Sequence, residues 1–532
     1  MVNAADIINT LLWMQPEILL ILGASAIYVA GAFVKPSREL WTAVSLAVYV
    51  AAAGIVLLRE WPALAPGGVQ GPLAIDMMGQ LLRLLTLTGG VLFTLMSSGT
   101  VNRRLPSEYL GTLMLAVSGV MLASRANDLV LLFLSLELVS IPSYILLFLG
   151  RSGRSAAEAT AKYFFLSILA SGMMLYGFSF LYGMSGTTTI AGVNSIETAV
   201  AGANSLLLPL AVVLVLAGLG FKIAAAPFHF YAPDVYQGAS NPVAAILAVA
   251  PKVAGMAALI RLGAILPASE LNWKLVVLIS MLTMTVGNVG ALWQVNFRRL
   301  LAYSSIAHAG YMLMGLAVLL VGAEGPGVGG SPAIIFYLAT YLLASIGAFS
   351  IATWLGGEDR HVSGVNEMAG LGKSRPGAAI AMAVMMFSLA GLPPLAGFWG
   401  KLTLLTNAVH VSLNTLDSGE RSWFVALAVV GALNAAIAAA YYLRVVGVMY
   451  FRPETGAAIE PRGGRGAAAS FCACAGLIVL LGVAPGLLLR PAAQASPLQP
   501  VVIESPQEAT DAAAANASHS DATFAMTGNA PQ

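Results

Sequence analysis

Five ionisable side chains lie inside apolar stretches of this 532-residue chain. They are Glu137, Lys162, Lys222, Lys252 and Lys401. An ionisable group at bilayer depth costs at least about 2.5 to 3.5 kcal/mol on insertion scales, so it is rarely kept without a function. Amines and carboxyls take up and release protons, and in membranes they commonly mark ion or proton routes. The five residues therefore predict a path for protons or other ions.

The carboxyl of this set is predicted to pair with one of the lysines. Glu137 lies near the middle of LVLLFLSLELVSIPSYILLFLG, and Lys162 opens the next apolar stretch, EATAKYFFLSILASG. Because consecutive helices joined by a short loop normally pack side by side, we expect Glu137 to pair with Lys162, with Lys222 as the alternative partner. An inert structural ion pair is a second interpretation of Glu137, and Lys162 alone could instead extend its ammonium to the nearby loop.

A helix interruption is predicted in AGLGFKIAAAPFHFYAPDVYQGASNPVAA. Lys222 follows Gly218 and Gly220 in this segment, and it precedes Pro227 and Pro233. Discontinuous helices at membrane depth survive only where protein or water satisfies the freed backbone groups, and they commonly frame ion sites. We therefore expect a polar cavity beside Lys222.

A second interruption is predicted in MMFSLAGLPPLAGFWGKLTLL. Gly391, Pro393 and Pro394 interrupt the helix there, and Lys401 follows. Glycine, proline, aromatic and lysine residues thus recur in both interrupted segments. Interrupted apolar segments in corresponding positions indicate inverted repeats whose sites lie at the repeat interface.

Two candidate residues lie between the interruptions. Lys252 follows Pro251 near the centre of ILAVAPKVAGMAALI, from where the ammonium cannot easily reach the membrane surface. A structural contact with a backbone carbonyl is the alternative role for Lys252. His308 lies about one turn after Ser304 and Ser305 in NFRRLLAYSSIAHAGYMLMGL, and histidine passes protons near physiological pH. A merely hydrogen-bonded interior residue is an equally good interpretation of His308.

The elements that carry these residues are predicted to be membrane-spanning helices. Of all residues, 58% are hydrophobic and only 9% are charged. A spanning helix needs about 20 mainly apolar residues. Fourteen such stretches are predicted, near residues 10–33, 41–58, 74–97, 108–123, 127–149, 156–182, 206–228, 241–262, 275–292, 299–321, 332–355, 377–410, 423–443 and 469–489. The expected fold is therefore an all-α polytopic membrane protein with two inverted five-helix repeats and discontinuous helices 7 and 12.

The predicted spans divide the chain into five regions. These are an N-terminal three-helix region (1–105), a first repeat (106–265), a second repeat (266–450), a cytoplasmic loop with the last span (451–491) and a disordered tail (492–532). Basic loop residues concentrate on one side, which is the cytoplasmic side, so both termini are predicted outside the cytoplasm. Cys472 and Cys474 have no other ligand types nearby, which predicts no metal site, and no basic cluster indicates nucleic acid binding.

Six segments together carry a resemblance to a known family. They are LSLELVSIPSYIL, EATAKYFFLSILASG, FKIAAAPFHFYAPDVYQGASNPVAA, APKVAGMAALIR, NFRRLLAYSSIAHAGYMLMGLA and LAGLPPLAGFWGKL. They resemble the antiporter-like membrane subunits of the proton-pumping NADH:quinone oxidoreductase, respiratory complex I, and within them the subunit N family. Subunits L and M and the Mrp-type sodium/proton antiporter subunits are relatives. The lysine at position 401 and the run PDVYQGAS favour the N type over the M type.

The resemblance implies a place on a proton path for each candidate residue. Glu137 and Lys222 would take up the proton, and Lys162 would be the lysine of the sixth span. Lys252 would be the central lysine, and His308 would connect it to Lys401, the lysine that leads towards the outer side.

The resemblance also implies that redox chemistry lies elsewhere. The chain is expected to bind no cofactor and no metal, while NADH, FMN, iron-sulfur clusters and quinone belong to partner subunits. The implied partners are subunits M, K and J and the lipid bilayer of the bacterial inner membrane. The expected function is proton conduction driven by electron transfer from NADH to quinone. An Mrp-like cation/proton antiporter subunit and a non-conducting scaffold subunit are the alternatives.

Overall fold

The computed structural model describes residues 4–34, 37–61, 68–100, 105–151, 153–192, 194–200, 207–265, 269–322, 329–357, 362–453 and 461–495. The predicted tail therefore lies outside the described residues from position 496 onward. The α-helices are α1 (Ala4–Trp13), α2 (Gln15–Phe33), α3 (Arg38–Ile55), α4 (Met77–Ser97), α5 (Pro106–Arg125), α6 (Leu129–Gly150), α7 (Arg154–Ser185), α8 (Ile196–Val200), α9 (Leu207–Ile223), α10 (Ala232–Gly238), α11 (Asn241–Ile265), α12 (Glu270–Leu292), α13 (Phe297–Leu320), α14 (Gly330–Gly356), α15 (Leu371–Ser374), α16 (Pro376–Ala390), α17 (Ala396–Asn414), α18 (Ser418–Phe451), α19 (Gly464–Val483) and α20 (Gly486–Ala493).

Three shorter elements complete the described structure. A π-helical turn, Val56–Glu60, extends α3, and a 3-10 turn, Val365–Met368, precedes α15. Strands β1 (Gly68–Gln70) and β2 (Leu73–Ile75) form a small antiparallel hairpin before α4. The hairpin is a local exception to the predicted all-helical fold.

The predicted spans coincide with helices throughout the described chain. Twelve helices in the described ranges are long and apolar enough to cross a membrane. The predicted spans 206–228 and 377–410 are the two exceptions, because a shorter apolar helix, α9 or α16, ends inside each of them. The all-α membrane fold is therefore confirmed, whereas the total of fourteen crossings, the inverted repeats and the region boundaries stay predictions.

The first interruption follows α9. This helix ends at Ile223, and Ala224 adopts a φ of 59°, in the left-handed region that disfavours residues with a Cβ. Pro227 lies in the irregular segment before α10. Pro233 instead lies in the first turn of α10, where the missing N–H costs nothing. The prediction that Pro233 breaks a helix is therefore wrong, because this proline begins one.

The second interruption separates α16 from α17. Gly391 follows the last residue of α16 with a φ of 85°, a conformation that glycine adopts without a steric penalty. Pro393 and Pro394 lie in the irregular segment that leads to Ala396, the first residue of α17. Both predicted interruptions are therefore present.

Helices α11, α13 and α14 form the centre of the bundle, where nearly every residue is buried. Helix α12 packs very closely on α13 because glycines face the contact. A Cβ at Gly287 would lie 2.4 Å from the backbone nitrogen of Ala307, and one at Gly310 would lie 2.6 Å from that of Met284. Small residues are the usual means of close helix approach in membranes. This packing fixes α13, which carries His308.

The packed part of the chain extends beyond the predicted last region. Helix α20 continues to Ala493, and Ala492 and Ala495 are fully buried. The first residues assigned to the tail therefore belong to the bundle.

Candidate proton-transfer site

The carboxylate of Glu137 pairs with Lys222, which lies at the end of α9. Lys222 Nζ is 3.2 Å from Glu137 Oε1. The ammonium also donates to the hydroxyls of Ser140 (2.7 Å), Ser167 (3.2 Å) and Ser171 (3.0 Å). An ammonium has only three protons, so these four acceptors compete for them. The hydroxyls and the carboxylate together replace the water that burial removes from Lys222.

Lys162 lies away from this pair. Its Nζ is 2.8 Å from Glu158 Oε1, one turn earlier on α7, and 3.5 Å from Asp234 Oδ2 on α10, and its side chain is 46% exposed. Lys162 and Ser171 are nine residues apart, so at about 100° per residue they lie on opposite faces of α7. Ser171 is on the face towards the Glu137–Lys222 pair, because its hydroxyl donates to Glu137 Oε1 at 2.5 Å. The prediction that Glu137 pairs with Lys162 is therefore wrong, and Lys222 is the partner.

Lys252 lies at the centre of the bundle on α11. Its ammonium donates to the hydroxyl of Ser305 and lies 5.7 Å from the ring centroid of Tyr341. Ser305 Oγ also accepts a hydrogen bond of 2.8 Å from Tyr341 and lies 3.3 Å from the Tyr236 hydroxyl. Within the described ranges, no ion pair includes Lys252. A buried ammonium without an anionic partner is costly, which suits a group that gives up and regains its proton.

His308 is hydrogen-bonded through both ring nitrogens. Its Nδ1 lies 2.6 Å from the Tyr337 hydroxyl, and its Nε2 lies 3.0 Å from the Tyr442 hydroxyl, which in turn contacts Ser304. The ring centroid of His308 is 5.0 Å from that of Tyr341, the residue bonded to Ser305 on the Lys252 side. In a neutral imidazole one nitrogen donates and the other accepts, so a change of tautomer moves a proton from one side of the ring to the other.

Lys401 caps the broken end of α16. Its Nζ donates to the carbonyls of Leu389 (2.9 Å) and Ala390 (2.8 Å) and lies 5.2 Å from the ring centroid of Tyr311. A cation is stabilised at a helix C-terminus by the unpaired carbonyls and the helix dipole. A Cβ on Gly391 would lie 2.7 Å from Lys401 Cδ, so glycine leaves room for the lysine stem.

The structure connects these groups to different degrees. The hydrocarbon part of the Lys222 side chain lies close to α11. A Cβ placed on Gly255, which is about one helical turn after Lys252, would lie 3.5 Å from Lys222 Cβ. Towards the other end, the ring of Tyr337 is 6.1 Å from that of Tyr311, over which the Lys401 ammonium lies. Residues that carry hydroxyl groups thus lie between Lys252, His308 and Lys401, whereas Lys222 approaches α11 only through the hydrocarbon part of its side chain.

Sequence reasoning missed most of these hydroxyls. The residues it missed are Ser140, Ser167, Ser171, Tyr236, Tyr337, Tyr341 and Tyr442. Spacing could have found four of them, because Ser167 and Ser171 on α7, and Tyr337 and Tyr341 on α14, are four residues apart and share a helix face. Ser304 and Ser305 were noted only for their position before His308.

The described residues contain no group of three or more His, Cys, Asp or Glu side chains that could hold a metal ion. Cys472 and Cys474 are free thiols, the first exposed and the second buried. Neither belongs to the proton-transfer site.

Residues 126–418 match the protein family described as "NADH:quinone oxidoreductase/Mrp antiporter, TM". NADH-quinone oxidoreductase subunit N of Rhodospirillum rubrum is 39% identical over 448 residues, which cover 83% of this chain and 88% of the relative. The protein of the same name from Trichlorobacter lovleyi is 37% identical over 458 residues, which cover 85% of this chain and 90% of the relative. The similarity therefore extends over nearly the whole length of these proteins.

Solved structures share the same fold. A chain of respiratory complex I from Thermus thermophilus with bound aureothin is 32% identical, with a TM-score of 0.74, and the match covers 90% of this chain and 100% of that one. A chain of the Mrp complex from Dietzia sp. DQ12-45-1b is 23% identical with a TM-score of 0.74, and the match covers 91% of this chain and 96% of that one. The second likeness shows the fold alone.

Proposed function

The chain belongs to the subunit N family of NADH-quinone oxidoreductase, respiratory complex I, and from this premise we propose that its buried polar groups conduct protons across the membrane. The observation that carries the proposal is the series of ionisable groups inside the bundle, from the Glu137–Lys222 pair through Lys252 and His308 to Lys401. Each of these groups holds or passes a proton, and each has hydroxyl, tyrosine or carbonyl neighbours that stabilise it.

The redox reaction drives the proton-carrying groups through electrostatic interactions. Electron transfer from NADH to quinone takes place in partner subunits, which hold the FMN, the iron-sulfur clusters and the quinone. A change of charge at one end alters the cost of a proton at the next group. Two ammonium groups about 10 Å apart repel each other by about 1.7 kcal/mol at an effective dielectric constant near 20, which is more than a tenfold effect on occupancy. Protonation of Lys222 therefore disfavours a proton on Lys252, and so on towards Lys401.

The neighbours of this chain are other membrane subunits of the complex. We assign the contacts to subunit M on one side and to subunits K and J on the other. The membrane is the bacterial inner membrane, and both termini lie outside the cytoplasm, as the distribution of basic loop residues predicts. Lys162, which the resemblance places on the path, lies on the more exposed face of α7 beside Glu158 and Asp234, and we leave it out of the proposed series.

Replacement of Lys252 tests the proposal. The complex carrying Lys252→Ala is purified and reconstituted in vesicles, and quinone-dependent NADH oxidation and proton uptake are measured together. Because Lys252 is the buried carrier between the two halves, both coupled rates should fall at least tenfold. The matched control is Lys274→Ala, since Lys274 is a partly exposed lysine whose ion pair with Glu270 lies on the surface. This control should pump normally.

Two other results would identify a different function. Unchanged rate and proton-to-electron stoichiometry with Lys252→Ala would show that the chain is a scaffold subunit that conducts nothing. Sodium-stimulated proton exchange by a purified complex without NADH oxidation would identify an Mrp-like antiporter.

A further inference from the structure

Six charged side chains are buried together at one end of the bundle, outside the proton-transfer site. They are Glu17, Glu60, Asp76, Arg83, Arg125 and Arg261, and we call them the six-charge cluster. Each is at most 6% exposed. Three carboxylates and three guanidinium groups balance, so the cluster carries no net charge.

Arg83 on α4 joins two carboxylates from different helices. Its Nη2 donates a hydrogen bond of 2.9 Å to Glu17 Oε2, and its Nε lies 2.7 Å from Glu17 Oε1 as an ion-pair contact. Its Nη1 bonds to Glu60 at the end of the π-helical turn. Arg125 of α5 lies 3.5 Å from the same Glu60 oxygen and donates to the carbonyl of Trp13 at 2.8 Å. This half of the cluster ties the first three spanning helices to α5.

Arg261 connects the cluster to the helix that carries Lys252. Its Nη1 and Nη2 donate to Asp76 Oδ2 (2.9 Å) and Oδ1 (3.0 Å) in a bidentate fork, and its Nε donates to the Ser124 carbonyl at 2.9 Å. Asp76 is itself held as the N-cap of α4 by the backbone N–H of Gly79 at 2.8 Å. The end of α11 is therefore fixed in direction by α4 and α5.

The pairing makes the cluster unsuited to carry protons. Arginine does not lose its proton in proteins, and each carboxylate of the cluster accepts a hydrogen bond from an arginine. The helix fixed by Arg261 has eight alanines and two glycines among its 25 residues, NPVAAILAVAPKVAGMAALIRLGAI, and these positions carry no large side chain that would lock its rotation and axial position. Directional ion pairs supply that constraint. Lys252 lies nine residues before Arg261 on α11, about 13 Å along the helix axis.

We propose that the six-charge cluster is a brace that holds α11 in position, with Arg261 as a positioning residue for the contact between Lys252 and Ser305. The N-terminal three-helix region thereby acts on proton conduction without contributing a proton carrier. The inference rests on the proposed function, because it assumes that Lys252 carries protons.

The experiment compares three variants in the reconstituted complex, with the amount of complex counted by its bound flavin. The paired neutral variant Asp76→Asn/Arg261→Gln removes the fork without leaving an unpaired charge. Arg261→Lys keeps the charge but loses the fork. The control pair Glu270→Gln/Lys274→Gln neutralises an ion pair on the surface. Electron transfer and proton uptake are expressed per assembled complex.

A positioning role predicts graded losses. The paired neutral variant should lose at least threefold in proton pumping per complex, Arg261→Lys should lose less, and the control pair should lose nothing. A merely structural cluster would lower the amount of complex and leave pumping per complex unchanged. Normal pumping by an assembled paired neutral variant therefore overturns the inference. If that variant does not assemble, normal pumping per complex by Arg261→Lys overturns it.

Lys252→Ala in the same preparation separates the two proposals. If Lys252→Ala stops pumping while the cluster variants pump normally, only the brace is wrong. If Lys252→Ala pumps normally, the proposed function fails and the brace fails with it.

Discussion

Glu137→Gln should remove the counter-charge of Lys222, while the glutamine keeps the shape of the glutamate side chain and Lys222 keeps most of its hydrogen bonds. At the observed separation of 3.2 Å, the ion pair is worth about 5 kcal/mol of gross attraction at an effective dielectric constant near 20. Glu137 is 20% exposed, so water screens part of this attraction, and the hydroxyls of Ser140, Ser167 and Ser171 remain as acceptors. A net loss of about 3 kcal/mol remains, at the low end for breaking a buried ion pair.

This loss lowers the ratio of charged to neutral Lys222 roughly a hundredfold. Steps that need the charged lysine should slow accordingly, and proton pumping should fall at least fivefold because other steps then share control of the rate. A lower assay pH should restore part of the loss relative to the unaltered complex at the same pH, since more protons repopulate the ammonium. The assay is dye-monitored proton uptake by reconstituted vesicles during NADH oxidation, at several pH values.

Lys162→Ala is the matched control for Glu137→Gln. The Lys162 ammonium is 46% exposed and bonded to Glu158, so its loss should change pumping less than twofold. Unchanged pumping by Glu137→Gln at every pH would refute the reasoning. Equal impairment by Lys162→Ala would show that the functional partner of Glu137 is not the one in the structure.

Two further replacements test the central and outward parts of the series. Ser305→Ala removes the hydroxyl that Lys252 contacts and should slow pumping about tenfold, the equivalent of about 1.4 kcal/mol for one buried hydrogen bond. Ser305→Thr keeps the hydroxyl and should retain most of the rate. Equal rates in the two variants would contradict this role. Gly391→Ala places a Cβ 2.7 Å from Lys401 Cδ at a φ of 85°, so pumping and the thermal midpoint of the complex should both fall. The control is Gly377→Ala, whose Cβ would meet no atom within 4 Å and which should change neither quantity. Normal pumping and stability of Gly391→Ala would show that this position does not require glycine.

Much of the fold followed from the sequence because bilayer length and backbone hydrogen bonding leave few solutions. The long apolar stretches became helices, and the glycine and proline clusters became interruptions close to their predicted places. Lys222 and Lys401 lie beside those interruptions as expected, and His308 lies in the interior. These features depend on local composition, which a single sequence displays.

The partners of the charged groups did not follow, for a physical reason. In a soluble helix an apolar stripe reveals which side faces the core, but a membrane helix is apolar on its lipid side and its core side alike. The rotation of α7 was therefore hidden, and with it the fact that Ser171, rather than Lys162, faces Glu137. The partners of Arg83 were hidden for a related reason, since Glu17 and Glu60 come from other spanning helices, distant in sequence.

The contact between Lys401 and the C-terminal end of α16 links the charge of this lysine to the hydrogen bonding of that helix end. The ammonium that would hold a proton also donates to two carbonyls at the end of α16, so the protonation of Lys401 and the hydrogen bonding of that helix end are linked. Departure of the proton leaves a neutral amine, which donates more weakly and loses its favourable interaction with the helix dipole. Loss and recovery of the proton would therefore weaken and then restore the contact that Lys401, on α17, makes with the end of α16.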